Sequence, residues 1–252
     1  MSLWFLLWFV LAFILIGATV WSTIILIQQK NAWRNFAKKK GLVFTPNKFF
    51  EPPSLEGVIN GYNISFFSAT QQNPDSRKDR QVTVMQVNVN DSFVDGIACG
   101  TEQMLPFLQT LEAITPHDVK QGKWNKKFHI RTRNKKAVDA YLTEERIKAL
   151  QSVLNMPNAD ILIILDDAEG MFRFETPNPF NDESTVENTL KKLFARIKVL
   201  QPSEDEFKTL DQIPKDAPVV AEDAKKVEDE AEDVKAETVQ PENQKENSEE
   251  KS

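Results

Sequence analysis

Leu3 to Ile27 reads LWFLLWFVLAFILIGATVWSTIILI, 25 residues without one charged side chain. As a helix rising 1.5 Å per residue it is about 38 Å long, more than the roughly 30 Å of a bilayer's hydrocarbon core, so it spans with tilt to spare. Sixteen of its residues are Leu, Ile, Phe or Val. Each favours insertion by about 0.3–0.6 kcal/mol near the helix centre, a gross gain on the order of 5–10 kcal/mol that Gly17, Thr19, Ser22 and Thr23 do not offset. A cleavable signal peptide would show a basic start, an apolar run of only about 7–15 residues and a small-x-small cleavage site. Here the start is Met-Ser and the run closes on Ile24 to Ile27. The expectation is an uncleaved membrane-spanning helix.

Charge beside the helix orients it. No Lys or Arg precedes Leu3, whereas Lys30, Arg34, Lys38, Lys39 and Lys40 follow Ile27. The positive-inside rule then expects a single-pass inner (plasma) membrane protein with its N-terminus outside and its main domain in the cytoplasm. Trp4 and Trp8 near one end, and Trp21 and Trp33 towards the other, suit interfacial anchoring, with Trp21 somewhat inside. Ala18-x-x-x-Ser22 is a small-x-x-x-small pair that lets helices approach.

Gln28 to Lys40 is expected to continue the helix into water as a basic juxtamembrane segment, with Trp33, Phe36 and Ala37 on one side, lysines in the last turn and Gly41 as its C′ cap. Its five basic residues are candidate contacts for anionic headgroups, at about 1 kcal/mol each. The same charges serve equally as a topology signal with a solvated face.

Residues 41–200 are expected to form one α+β domain on a largely antiparallel sheet. A strand near Leu42 to Thr45 ends before the Pro52-Pro53 break. In LEGVINGYNISFFS, Leu55 to Ser68, Asn60-Gly61 separates two β-prone runs, and both residues tolerate the positive φ of a type I′ hairpin. In QVTVMQVNVN the apolar phase runs Val82, Val84, then Met85, Val87, Val89, which predicts a strand with a bulge near Met85. Gly96 and Gly100 flank Ile-Ala-Cys, and Thr101 is positioned to cap a short helix with Pro106 in its first turn. Lys126 to Arg133 alternates, Phe128, Ile130 and Thr132 on one face and Lys127, His129, Arg131 and Arg133 on the other, as a half-buried strand does.

Thr143 followed by Glu144 and Glu145 starts a helix whose stripe Ile147, Leu150, Leu154 stops before Pro157. Asp160 to Leu165 reads as a strand, Asp166 to Gly170 as a turn and Met171 to Glu175 as the antiparallel partner. Asp182 to Leu200 reads as a helix on the stripe Val186, Leu190, Leu193, Ile197, Leu200. Residues 201–252 carry 17 acidic and 7 basic side chains, net −10, and a single aromatic, Phe207. They are expected to stay disordered and to associate loosely with the rest of the chain, which carries net +4.

The stretch KKFHIRTRNKKAVDAYLTEERIKAL, followed by ILIILDD and GMFRFET, resembles a family of uncharacterised bacterial membrane-anchored proteins. In these a strand with Phe-x-Ile/Val precedes a short helix containing Ala and ending Leu-Thr, then a longer helix and a hairpin. The matching positions are Phe128, Ile130, Ala140, Leu142 and Thr143. NFAKKKGLVF with SLEGVINGYNISFF resembles the opening of such domains. The resemblance implies a juxtamembrane helix and an α+β domain, but no reaction and no catalytic residues.

Chemistry is sparsely signalled. ILIILDD resembles a Walker B strand presenting a carboxylate to Mg²⁺, but no phosphate-binding loop accompanies it, and Asp166, Asp167 and Glu169 beside Gly170 suit a turn. His117 and His129 with the lone Cys99 make an incomplete zinc set, and no oxyanion loop accompanies them as nucleophile and base; a half-buried cysteine and two surface histidines are expected. One cysteine excludes an intramolecular disulfide. Lys127, His129, Arg131 and Arg133 form a possible basic binding face, but Phe128 points the other way, so base stacking on nucleic acid is not expected. No cofactor is expected. The reading is a membrane-anchored, non-enzymatic interaction or assembly module with a lipid bilayer and an unidentified protein as partners. Its alternatives are an enzyme using Asp166 and Asp167 on a membrane-proximal substrate, or a sensor of anionic lipid.

Overall fold

The computed structural model describes residues 3–48, 51–71, 80–90, 96–111, 114–120, 123–166 and 170–214. One unbroken helix, α1 (Leu3–Lys40), carries both the apolar run and the basic segment. It ends as expected: Gly41 has φ +71°, and the Leu42 N–H donates to the Ala37 carbonyl at 2.9 Å, the closing bond of a Schellman cap.

Among the described residues nine strands follow, β1 (Val43–Thr45), β2 (Ser54–Ile59), β3 (Tyr62–Gln71), β4 (Arg80–Val89), β5 (Ile97–Thr101), β6 (Thr115–Pro116), β7 (Phe128–Thr132), β8 (Asp160–Leu165) and β9 (Gly170–Thr176). They form one antiparallel sheet in the order β1-β2-β3-β4-β9-β8-β5-β7-β6. The Asn60-Gly61 turn takes the positive φ values its residues allow, +55° and +85°. The β8–β9 hairpin inserts between β4 and β5 and so joins the first and second halves of the sheet.

The helices are α2 (Leu105–Thr110), α3 (Lys135–Tyr141), α4 (Glu144–Leu154), α5 (Glu183–Leu200) and α6 (Glu204–Asp211). Short polar side chains start four of them. Asn134, Thr143, Asp182 and Ser203 accept from the backbone N–H three residues on. Residues from α1, α3, α4, α5 and α6 form the main core with Phe66, Met85, Cys99, Ile163 and Phe172 of the sheet. A smaller cluster on the other face joins Ala98 and Leu162 to Met104 and Leu108. Apolar cover on both faces explains the near-continuous ILIIL of β8, where Ile161, Ile163 and Leu165 serve one core and Leu162 the other.

Four expectations are corrected. β4 has no bulge: its register against β3 and β9 runs without a slip. Val82 and Val84 are buried on one face and Met85, Val87 and Val89 on the other, so the change of apolar phase records two covered faces. Ile97–Thr101 is an inner strand, and Thr101 makes no side-chain cap; its hydroxyl accepts the Ile161 N–H at 3.2 Å. The third concerns the start of the tail. Residues 201–214 belong to the fold, with α6 docked and Leu210 buried. The expected disorder of residues 215–252 lies outside the described residues, as do Asp167 and Glu169 of the expected turn. The last concerns Cys99 and His117, which are buried at 0 % and 9 % exposure.

Candidate functional site

The apolar half of α1 stands clear of the domain. Every residue from Trp4 to Trp21 is exposed, a span of about 27 Å at helical rise. One turn later Ile25 and Leu26 are half covered, and at Gln29 the helix face is buried. Trp21, Trp4 and Trp8 thus bracket the exposed apolar length. The helix is long and apolar enough to cross a membrane.

Beyond Gln29 the inner face of α1 belongs to the core. Trp33 and Phe36 are fully buried, both rings pack on Phe66, and the Trp33 indole N–H donates to the Phe180 carbonyl at 3.2 Å. This divides the five basic residues expected to contact lipid. Lys39 bonds Glu183 and Glu187 at 3.0 and 2.9 Å, and Lys40 bonds Glu187 at 2.9 Å. Bonds from Lys40 and then Lys39 hold the Glu187 carboxyl down at about 2. Lys39 also lies 12 residues past Ile27, about 18 Å along the axis. These two lysines therefore clamp α1 to α5. Lys30 lies nearest the apolar run and donates to the Lys48 carbonyl at 2.6 Å. Arg34 stacks over Phe44 at 5.4 Å, and Lys38 is exposed.

A groove of about 340 Å³ opens where the apolar run meets the domain. Ile25 and Leu26 line it on the helix side, and Ser68, Gln81 and Thr83 of β3 and β4 on the sheet side. Ser22 and Gln29 of the helix, Val82 of the sheet, and Pro52, Pro177 and Pro179 complete it. A second groove of about 360 Å³ lies between the Asn60 turn and α5, with Lys40, Glu187 and Phe194 in its walls.

The basic strand face is only partly solvated. β7 is an inner strand between β5 and β6. Arg131 is half-buried and donates to the Ile114 carbonyl at 2.8 Å, and Arg133 sits 3.9 Å from Asp166. His129 is half-buried and Lys127 exposed just before the strand. Two of the four basic side chains, Arg131 and Arg133, are thus engaged within the domain.

Cys99 and His117 are both buried. Burial pushes the Cys99 thiol up to about 12. His117 Nε2 lies 3.2 Å from Asp139 Oδ1, off the line of a hydrogen bond, and burial lowers the pKa of the imidazole. Among the described residues no cluster of three His, Cys, Asp or Glu is arranged to hold a metal ion.

The polar contact that sequence reasoning missed is Arg146 with Glu206. A charged residue in the apolar register of α4, four before Leu150, was its signal. So was Ser203-x-x-Glu206 with Phe207, Leu210 and Ile213 spaced for one helix face. Comparison of the chain with protein-family models, with curated proteins and with solved structures finds no match.

Proposed function

We propose that this chain is a single-pass membrane protein whose α+β domain is held on the cytoplasmic side as a non-enzymatic interaction or assembly module. The continuity of α1 carries the reading: the same helix that exposes its apolar residues from Trp4 to Trp21 is cemented into the domain core by Trp33 and Phe36. A domain so attached has little freedom to swing, which suits presenting a fixed surface at the bilayer. The strongly shifted carboxylates also favour structural roles. Asp182 is lowered to about 2 by hydrogen bonds from Ser184 and Thr185 at the start of α5, and Glu187 receives the two lysines of α1.

Orientation is tested with a cysteine added to the tail beyond Pro214 and a membrane-impermeant thiol probe. Labelling is expected only after cells are opened; labelling of intact spheroplasts refutes the cytoplasmic side. Partnership is tested by in-cell crosslinking and pull-down of the full-length protein from membranes, which should return a reproducible protein partner. The rival enzyme reading gains if a stably folded variant with Asp166→Asn and Asp167→Asn loses every cellular phenotype of the wild type.

A further inference from the structure

We infer that the groove between the end of the apolar run and the sheet seats the headgroup of a phospholipid from the surrounding bilayer. This rests on the membrane-spanning reading of α1. The first support is depth. The unbroken run of exposed residues ends at Ser22, the first groove residue, and beyond it Ile25, Leu26 and Gln29 turn a covered face to the groove while Ile24 and Ile27 stay exposed. A headgroup layer is about 5–8 Å thick, four or five residues of helical rise, which is the length from Ser22 to Leu26. A cleft open at that level is bathed by lipid headgroups before any other solute.

Its chemistry is the second support. Ile25 and Leu26 give one wall an apolar surface continuous with the apolar run, suited to the upper part of an acyl chain. The opposite wall brings the Ser68 hydroxyl and the Gln81 amide, both able to donate to phosphodiester oxygens. The three prolines lack backbone N–H groups, so this side of the cleft meets the low-dielectric boundary with fewer donors to satisfy. The volume is at the lower end of small-molecule clefts, about 300–1,000 Å³, room for a headgroup with its tails left in the bilayer.

Charge decides which lipids qualify. The nearest cation along β4, Arg80, is bonded to Asp160 at 2.8 Å and to Gln71 at 2.8 Å. The seat therefore works through neutral donors and an apolar wall, and it takes phospholipids without selecting for net negative charge. That separates it from a sensor of anionic surfaces.

The test uses the full-length protein in nanodiscs of phosphatidylcholine, alone or mixed with phosphatidylglycerol. Photoactivatable phosphatidylcholine carries a diazirine at the headgroup in one arm and in the acyl chain in the other, and adducts are mapped by peptide mass spectrometry. The expected result is acyl-chain adducts along Trp4 to Trp21. Headgroup adducts should concentrate on the peptides holding Ser22 to Gln29, Gln81 and Pro177 to Pro179, in similar yield in both lipid mixtures. Gln81→Leu, at an exposed position, and Ser68→Trp, which fills the cleft, should each lower headgroup adducts there by about fivefold, the worth of roughly one hydrogen bond. Absence of acyl-chain adducts on Trp4 to Trp21 overturns the membrane-spanning reading itself. Normal acyl-chain adducts with no headgroup adducts at the groove overturn the seat alone, as do yields unchanged in both variants. Headgroup adducts that require phosphatidylglycerol overturn the charge-indifferent seat and favour an anionic-surface contact.

Discussion

Arg146 on α4 holds Glu206 on α6 through both terminal guanidinium nitrogens, at 2.5 and 2.6 Å. The same guanidinium donates to the Tyr141 and Val199 carbonyls and lies over the Tyr141 ring at 4.4 Å. Tyr141 in turn donates its hydroxyl to the Leu200 carbonyl. The network ties the helix after Leu200 to three elements before it.

Removing the acid while leaving the buried cation should therefore cost stability. Breaking a fully buried pair costs about 3–5 kcal/mol, but the Glu206 side chain keeps 33 % of its surface in water. Glu206→Ala is expected to destabilise the domain by about 1–3 kcal/mol in urea melts. Truncation after Leu200 should cost at least as much, and truncation after Pro214 should leave the melting temperature nearly unchanged.

The domain should not fold without the end of its long N-terminal helix. Trp33 and Phe36 are fully buried, and replacing either by Ala should cost about 3–5 kcal/mol. A fragment beginning at Gln28 is expected to refold with a cooperative denaturation curve and dispersed NMR signals. One beginning at Gly41 is expected to aggregate or to lack them.

His117 should make the fold acid-sensitive below neutrality. Burial is the largest influence and lowers its pKa; Asp139 and Asp118 oppose it, and Lys120 and Lys135 reinforce it. With the folded value below the ordinary 6.5, the unfolded chain binds the proton more tightly. The contribution is present above 6.5 and is lost as pH falls through the folded value. Unfolding free energy of the Gln28–Pro214 fragment should decline from about pH 7 to 5, and His117→Asn should flatten that slope. An equal slope in both proteins refutes the assignment.

Cys99 should be silent to thiol reagents in the folded protein. Its thiol is buried at 0 % exposure and pushed up to about 12, so almost no thiolate forms at neutral pH. Iodoacetamide is expected to modify it only in denaturant, as read by intact mass. This leaves cysteines added elsewhere as clean topology reporters.

Local periodicity carried much of the architecture. The apolar run, the Asn60-Gly61 hairpin, the β8–β9 pair and the helix start at Thr143 depend on neighbours a few residues apart, so their patterns are legible along the chain. What the tertiary structure alone decided is who covers whom. The phase change at Met85 looks like a bulge until both faces of β4 are seen to be covered, because burial on two sides erases the alternation that marks a strand. Lys39 and Lys40 read along the chain as two charges of a basic segment; it is α5 that places Glu187 across from them, 148 and 147 residues away in sequence. Arg146 and the groove at Ser22 arise likewise from elements that the chain brings together over long separations. No local spacing encodes such contacts, since closing those loops depends on the whole core.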